Sequence, residues 1–520
     1  METSRLSRRG WFRAAATLGL AASGTAGFTF ATESEKRRAK DVLDIGTRKQ
    51  LFIDDRFIVE SKGVGLELNR PDLQWENLLT AEKPWELGIA CARGSICQHG
   101  GKTMLWYQAG EWDESRAIVL NTRRMCYAES MDGIHFTKPE LGLIEFHGSK
   151  RNNIVTVGAE GHMFLDEHDT PDRRFKAIMD MRPNLKTLRW PPAEGVARHS
   201  IYLFSSPDGI HWTRSRNVVF PMYLGAEQSA IWDNRLDKWV LYLRAHRPHR
   251  CFGRVEIEAG RLHEPYPFQP LEGRRYDQPG EVTLTTELPI VMDRDERDPP
   301  GAQPYLMNAW KYPGAEDVYF AYVPMWYDAR GRTPASDMLE VQLAISRDGI
   351  DWKRPWRHAL ISPGAPDYPE GGQVWPLMDP VIRNNQIWLY YLAQPERHMQ
   401  GPQRSGVVRR AIWGLDRFVA AQAGPGSGHI VTPTLRFAGN AFAVNLDAGA
   451  SGRLRVGVEK PNGQAIKGFS LDECHPVYGN GVALTVRWKG EANVKRLVGQ
   501  PVRLRFVMRN AKLYSFQFLP

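Results

Sequence analysis

Three glutamates stand at matching places in the chain, each just ahead of a β-prone hairpin. They are Glu86 in Lys83-Pro-Trp85-Glu86, Glu227 beside Gln228, and Glu370 in Pro369-Glu370-Gly-Gly-Gln-Val-Trp375. Carboxylates brought together from separate segments can break a glycosidic bond: one protonates the leaving oxygen, and another acts as base or nucleophile on the opposite face of the sugar. A third adjusts the acid's proton affinity through its charge. The matching placement sets these three apart from Asp113, Asp317 and Glu340, which read as loop or strand-edge acids.

Four further residues fit the lining of such a pocket. Arg93 follows Glu86 by one strand length and offers a planar fork of donors to a hydroxyl or carboxylate. Trp375 has a face on which a sugar ring can stack, and His398 supplies a polar donor after the last inner hairpin. Asp55, in Leu51-Phe-Ile-Asp54-Asp55, either bonds backbone or faces a central channel. The segment Arg244-Ala-His246-Arg-Pro-His249-Arg250 is dense in donors but lacks the acidic or Cys partners of a zinc site. No metal or cofactor site is legible, and a structural calcium stays open.

A repeated scaffold must position these residues. Ser130-Met-Asp-Gly-Ile-His-Phe136, Ser206-Pro-Asp-Gly-Ile-His-Trp212 and Ser346-Arg-Asp-Gly-Ile-Asp-Trp352 share the pattern S-x-D-G-I-x-[FW]. Asp-Gly suits a two-residue hairpin turn in which both positions take φ > 0. Ser and Asp side chains can bond the turn's own backbone. Five β-prone runs interleave with these turns and start at Thr103, Phe175, Trp239, Val318 and Ile387, spaced by 72, 64, 79 and 69 residues. Each follows a turn-rich clip. The unit is an inner hairpin followed by an outer one, and five such four-stranded units around an axis make a five-bladed β-propeller. The competing arrangement is an array of hairpins in a two-sheet sandwich.

The chain divides accordingly. Ser7-Arg8-Arg9-Gly-Trp11-Phe12-Arg13 and the weakly apolar stretch to Ala31 read as a twin-arginine signal peptide over residues 1–31, implying export to the periplasm or medium. Residues 32–82 form an N-terminal segment, in which the run from Leu51 to Val59 is expected to flank or close the ring. The propeller spans 83–423, with Val407 to Trp413 and Phe418 to Ala421 in the outer positions of its last unit. Residues 424–520 show short alternating strands ending in Leu513-Tyr-Ser-Phe-Gln-Phe518, the pattern of a β-sandwich. The fold class is therefore all-β.

Composition narrows the partners. Removing residues 1–31 takes away four Arg and one Glu, so the formal charge falls from +9 to +6. That excess is scattered, without the basic stripe of a nucleic-acid binder. No stretch of the mature chain is long and apolar enough to span a membrane. The five Cys have no disulfide-rich spacing. Oligomeric state is not indicated.

The blade pattern followed by a sandwich resembles the glycoside hydrolases of the invertase type (family 32) and the arabinanase type (family 43). More narrowly, Leu51-Phe-Ile-Asp-Asp55, Val341-Gln-Leu-Ala-Ile-Ser-Arg-Asp-Gly-Ile350 and Gly468-Phe-Ser-Leu471 resemble exported bacterial proteins of the family-32-like kind. The resemblance implies a carbohydrate substrate and hydrolysis of a glycosidic bond. The early Asn-Asp-Pro-Asn-Gly motif of the invertases does not occur, so no catalytic residue is carried over. The alternative is a propeller that binds glycans without cleaving them, its acids bonding sugar hydroxyls only.

Overall fold

The computed structural model of the protein describes residues 42–86, 94–113, 118–181, 200–220, 224, 228–246, 249–267, 288–327, 336–366, 368–398 and 406–520. The signal segment expected over residues 1–31 lies outside them. Among the described residues the regular structure is β-strand, apart from four single 3₁₀ turns. No helix among them is long and apolar enough to cross a membrane.

The strands form a five-bladed propeller and a β-sandwich. Blade 1 comprises Gly94–His99, Lys102–Asp113, Ile118–Ser130 and Ile154–Val157, and blade 2 Ala159–Leu165, Phe175–Met181, Ser200–Ser206 and Thr213–Phe220. Blade 3 comprises Ser229–Asp233, Lys238–His246, Arg250–Glu258 and Ile290–Met292. In blade 4 the inner strand is broken into Ala302–Pro304 and Asn308–Lys311, both pairing with Tyr319–Tyr327; Leu339–Ser346 follows. Its outer edge consists of the isolated bridges Ile345–Lys353 and Val341–Ile361. Blade 5 has a broken inner strand too, Gln373–Pro376 and Val381–Arg383, then Gln386–Gln394 and Val407–Gly414. Its fourth strand is Asp72–Thr80, from the N-terminal side of the ring.

That strand closes the propeller, not the Leu51 to Val59 run. Only Gln50–Leu51 of that run is a strand, and it pairs with Phe516 and Ser515 of the sandwich. The alternation of its side chains explains why. Leu51 and Ile53 enter the core between blades 4 and 5, whereas Phe52 and Phe57 enter the sandwich core. Asp54 then caps a 3₁₀ turn by accepting from the Arg56 N–H. The segment therefore stitches the two parts together. Arg347 of blade 4 reinforces it with bonds to Asp54 at 2.8 and 3.0 Å and to the Leu51 carbonyl at 2.9 Å. Phe418 to Ala421 also differ from expectation: Val419–Ala423 pairs with Ala511–Leu519 and Val64–Leu68 in the sandwich.

Five of the six apolar clusters are contacts between neighbouring blades, and the sixth is the sandwich core. A strand buried on both faces supplies one face to each neighbour. In Lys102–Asp113, Trp106 packs toward blade 2 while Leu105 and Tyr107 pack toward blade 5. Each fully buried aromatic of this kind contributes about 2–3 kcal/mol of burial free energy.

The repeated turns lock adjacent blades together. In the blade 2 turn, Gly209 N–H donates to Ser206 Oγ at 2.9 Å, and Asp208 Oδ1 accepts from the N–H groups of Ile210 and His211, each at 2.9 Å. Only the glycine takes positive φ, +75° in all three copies, so these are side-chain-capped turns and not the expected pair of left-handed residues. The glycine carbonyl accepts from an aromatic donor of the preceding blade. Tyr390 bonds Gly133 at 2.8 Å, Trp106 bonds Gly209 at 2.7 Å, and Tyr242 bonds Gly349 at 2.8 Å. A Cβ on Gly209 would sit 2.6 Å from the Trp106 ring, so both the backbone angle and the close approach require glycine.

Candidate active site

All five inner strands begin at the same end of the ring, opposite the repeated turns. Residues at those starts, and at the ends of the second strands, share that mouth. Blade 2 places two acids there. Glu160 is in the inner strand and Asp180 is its register partner in the next strand, with 1% and 3% of their surfaces exposed. Register partners have Cβ atoms about 5 Å apart on one face of the sheet. Gly161 permits the close pairing, because a Cβ there would lie 1.9 Å from the Ile178 carbonyl oxygen. Gln108, near the same end of blade 1, donates to Glu160 Oε2 at 2.5 Å. The Oε1 atom of Gln108 is buried with no donor among the described residues. Two buried carboxyls side by side repel unless a cation, a proton or a bound ligand's donors stand near them.

Deeper in the same strand, His162 links three blades. Its Nδ1 accepts from the Ala230 N–H at 3.2 Å, which leaves the proton on Nε2, and this faces Asp379 Oδ2 of blade 5 at 2.8 Å. Asp379 has φ +62°, in the left-handed region where the cost of a side chain must be met by its surroundings. It marks the break in the inner strand of blade 5.

Blades 3, 4 and 5 bring a cationic and aromatic wall to the mouth. Arg250 lies over the Tyr305 and Trp326 rings at 4.6 and 4.7 Å, and Arg244 is 5.6 Å from the Tyr305 centroid. His398 meets Tyr305, Trp326 and Trp375 edge-on, with centroids 5.0, 5.6 and 5.8 Å away. Trp375 donates to Gln373 Oε1 at 3.2 Å, and the Gln373 amide donates to the Glu396 carbonyl oxygen at 2.6 Å. Within blade 3, Gln228 accepts from the Arg244 N–H at 3.3 Å. A partly desolvated guanidinium over an aromatic face contributes about 1–2 kcal/mol and fixes the ring's orientation.

The expected site residues separate into three groups. Trp375 and His398 come together in this wall. Glu227 and Arg93 lie outside the described residues. Glu86, Glu370 and Asp55 do not join the mouth. Glu86 is fully buried where blades 5 and 1 meet. It accepts from the Glu82 and Lys83 N–H groups at 3.0 and 3.1 Å, from Lys138 at 2.7 Å, and from the Tyr107 hydroxyl. Burial pushes the Tyr107 phenol well up, so it stays a donor. Glu370 is buried on the blade 4 side of blade 5, where Arg409 donates to it at 2.7 Å and Tyr391 at 3.3 Å. Asp55 is exposed on the 3₁₀ turn beside the sandwich. An acid just before an inner strand can equally well tie down the connection that leads into it, and Glu86 and Glu370 do that.

Glu160 and Asp180 carry a signal that the sequence does show. Each is a buried acid in a strand that is buried along almost its whole length, Ala159-Glu-Gly-His-Met-Phe-Leu165 and Phe175-Lys-Ala-Ile-Met-Asp-Met181. A charge there is expensive unless something uses it. Two short fragments of the invertase pattern, Arg297-Asp298-Pro299 and Glu473-Cys474, also occur. They sit elsewhere: Asp298 is clamped by Arg354 and Arg357 beside the outer edge of blade 4, and Glu473 caps a sandwich turn. Among the described residues no three His, Cys, Asp or Glu side chains group as metal ligands.

No protein family's sequence model matches the chain, and no curated protein matches it. Solved structures with similar architecture include a glycosyl hydrolase from Bacteroides ovatus, with 14% identity, coverage of 71% of this chain and 97% of that one, and a TM-score of 0.41. Another comes from work on the GH130 family of mannoside phosphorylases, described as containing glycoside hydrolases that target β-1,2 mannosidic linkages. It has 15% identity, coverage of 71% and 97%, and a TM-score of 0.41. A third is an N-acetylgalactosamine deacetylase from F. plautii, with 13% identity, coverage of 69% and 97%, and a TM-score of 0.41.

Proposed function

We propose that the protein is a glycoside hydrolase that works at the mouth of the ring, with Glu160 and Asp180 as its buried carboxyl pair. The observation that carries this reading is their placement as buried register partners in blade 2, with Gln108 of blade 1 donating to Glu160. In this scheme one of the pair protonates the glycosidic oxygen while its neighbour adjusts its proton affinity. The base or nucleophile approaches from another blade. Glu396, half-buried two residues past the end of the second strand of blade 5, is two blades away around the ring and is one acid for that role. Glu227, next to Gln228 at the entrance to blade 3, is the other acid for that role. Tyr305, Trp326 and Trp375 offer a stacking wall for a sugar ring, and Arg250 and His398 offer donors to its hydroxyls.

The test is a screen of the purified chain on aryl glycosides and oligosaccharides, followed by Glu160→Gln, Asp180→Asn, Glu396→Gln and Glu227→Gln on the best substrate. Loss of turnover in the blade 2 variants, with sugar binding retained, supports the scheme. Full turnover in Glu160→Gln removes that residue from it. The low exposure of both acids gives some weight to a binding propeller without catalysis, and substrate binding with no turnover on any substrate would select that reading.

The same proposal includes export. Arg8 and Arg9 in the twin-arginine pattern support secretion of a folded enzyme to meet an extracellular glycan. Residues 1–41 fused to a reporter, with Arg8→Lys and Arg9→Lys as the control, test it by where the reporter accumulates.

A further inference from the structure

We infer that a second carbohydrate-binding site lies on the outer rim of blade 5, centred on Trp75. It rests on the glycan reading above only in that its ligand is a sugar. The pairing of Asp72–Thr80 with Val407–Gly414 is regular up to Gln74 opposite Arg410 and resumes at Leu79 opposite Val408. Between those points Trp75, Glu76, Asn77 and Leu78 oppose the single residue Arg409. An excursion of that size gives up ladder hydrogen bonds on an edge strand, and its usual effect is to re-aim side chains.

Here it aims Trp75 outward. Trp75 is 60% exposed, and the other tryptophans among the described side chains are buried or half-buried. It is nevertheless held in place. The Arg409 guanidinium lies 5.6 Å from its ring centroid, and the same guanidinium bonds Asn77 Oδ1 at 3.0 Å and Glu370 Oε1 at 2.7 Å. Arg409 and Glu370 are themselves buried, so the platform stands on a fixed pair. Glu370 Oε2 is buried beneath it with no donor among the described residues. Tyr368, two residues before Glu370, is 55% exposed, so two of the exposed large aromatics flank one buried ion pair.

A rigid indole with one face backed by a cation and the other open, edged by the Asn77 amide, matches a pyranose ring. The ring's C–H face stacks on the indole and a hydroxyl bonds the Asn77 amide. The side chains are ordered before the ligand arrives, so little ordering entropy is lost on binding. The outermost strand is three strand spacings from the innermost, about 14 Å. The site therefore holds a glycan residue other than the one at the mouth, which favours a polymeric chain as ligand.

Native electrophoresis of the full chain in gels cast with α-mannan, arabinan, arabinoxylan or mixed-linkage β-glucan tests the site. At least one polymer is expected to retard the wild-type chain. Trp75→Ala should raise the apparent Kd about tenfold, and Trp75→Tyr should restore most of the retardation. Retardation that survives Trp75→Ala unchanged would overturn the rim site while leaving the mouth as the glycan site. Absence of retardation by all four polymers would overturn it, as would a concentration-dependent dimer that Trp75→Ala dissolves, because the platform would then be a protein interface.

Discussion

The two ends of the ring are built on opposite terms. At the turn end, the same Ser, Asp and Gly recur in blades 1, 2 and 4, and each glycine carbonyl receives one aromatic donor from the blade before it. The Ser and Asp side chains there bond the backbone of their own turn. At the mouth nothing recurs. Blade 2 supplies acids, blade 3 arginines, blade 4 Tyr305 and Trp326, and blade 5 Trp375 and His398. Repetition marks what every blade needs in order to stand beside its neighbour. On the proposed reading, chemistry sits where the blades have diverged, because one substrate would present a different group to each of them.

This contrast can be broken at either end. The largest effect is expected at the mouth: Glu160→Gln or Asp180→Asn should lower turnover about a thousandfold or more, about 4 kcal/mol of transition-state stabilisation, while the urea midpoint moves little. A large stability loss with normal turnover per folded molecule would make the pair structural and erase the contrast.

At the turn end the order of effects reverses. Gly209→Ala forces a Cβ to within 2.6 Å of the Trp106 ring at φ +75°, and should cost about 3 kcal/mol in denaturant unfolding with unchanged turnover by the folded fraction. Tyr242→Phe removes the hydroxyl that donates to the Gly349 carbonyl, so about 1 kcal/mol of stability should go, read from the same unfolding curves.

The smallest effect concerns pH. Burial would raise the Asp208 carboxyl, but the His211 N–H, the His211 ring and the Ile210 N–H outweigh it and hold it at about 2. A depressed value in the folded state gives stability that is complete above the unfolded value near ~3.9 and is lost as pH falls through about 2. Asp208 is partly exposed, so the contribution is about 1 kcal/mol after screening. Unfolding midpoints taken between about pH 5 and 2 should fall more steeply for the wild type than for Asp208→Asn. Parallel slopes would show that the turn aspartate adds nothing through its charge.

Much of the scaffold was legible in the chain. The Ser-x-Asp-Gly turns and the spacing of the β-prone runs set out five four-stranded units, because turn chemistry and strand alternation are local properties. The C-terminal sandwich strands were legible for the same reason. The closure strand was not. Asp72–Thr80 alternates poorly because four of its residues bulge away from the ladder, whereas Leu51 to Val59 looks apolar because it feeds two cores at once.

By itself the sequence determined the units: how many blades, where each turns, and which glycines the turns require. Only the tertiary structure decided which acids meet. Glu86, Glu370 and Glu160 are all acids beside inner strands, and nothing local distinguishes them. Lys138 reaches Glu86 from 52 residues away and Arg409 reaches Glu370 from 39, while Glu160 faces Asp180 through strand register and Gln108 across a blade boundary. A carboxylate's role depends on which donors long-range packing brings within about 3 Å, and that distance is set when the ring closes.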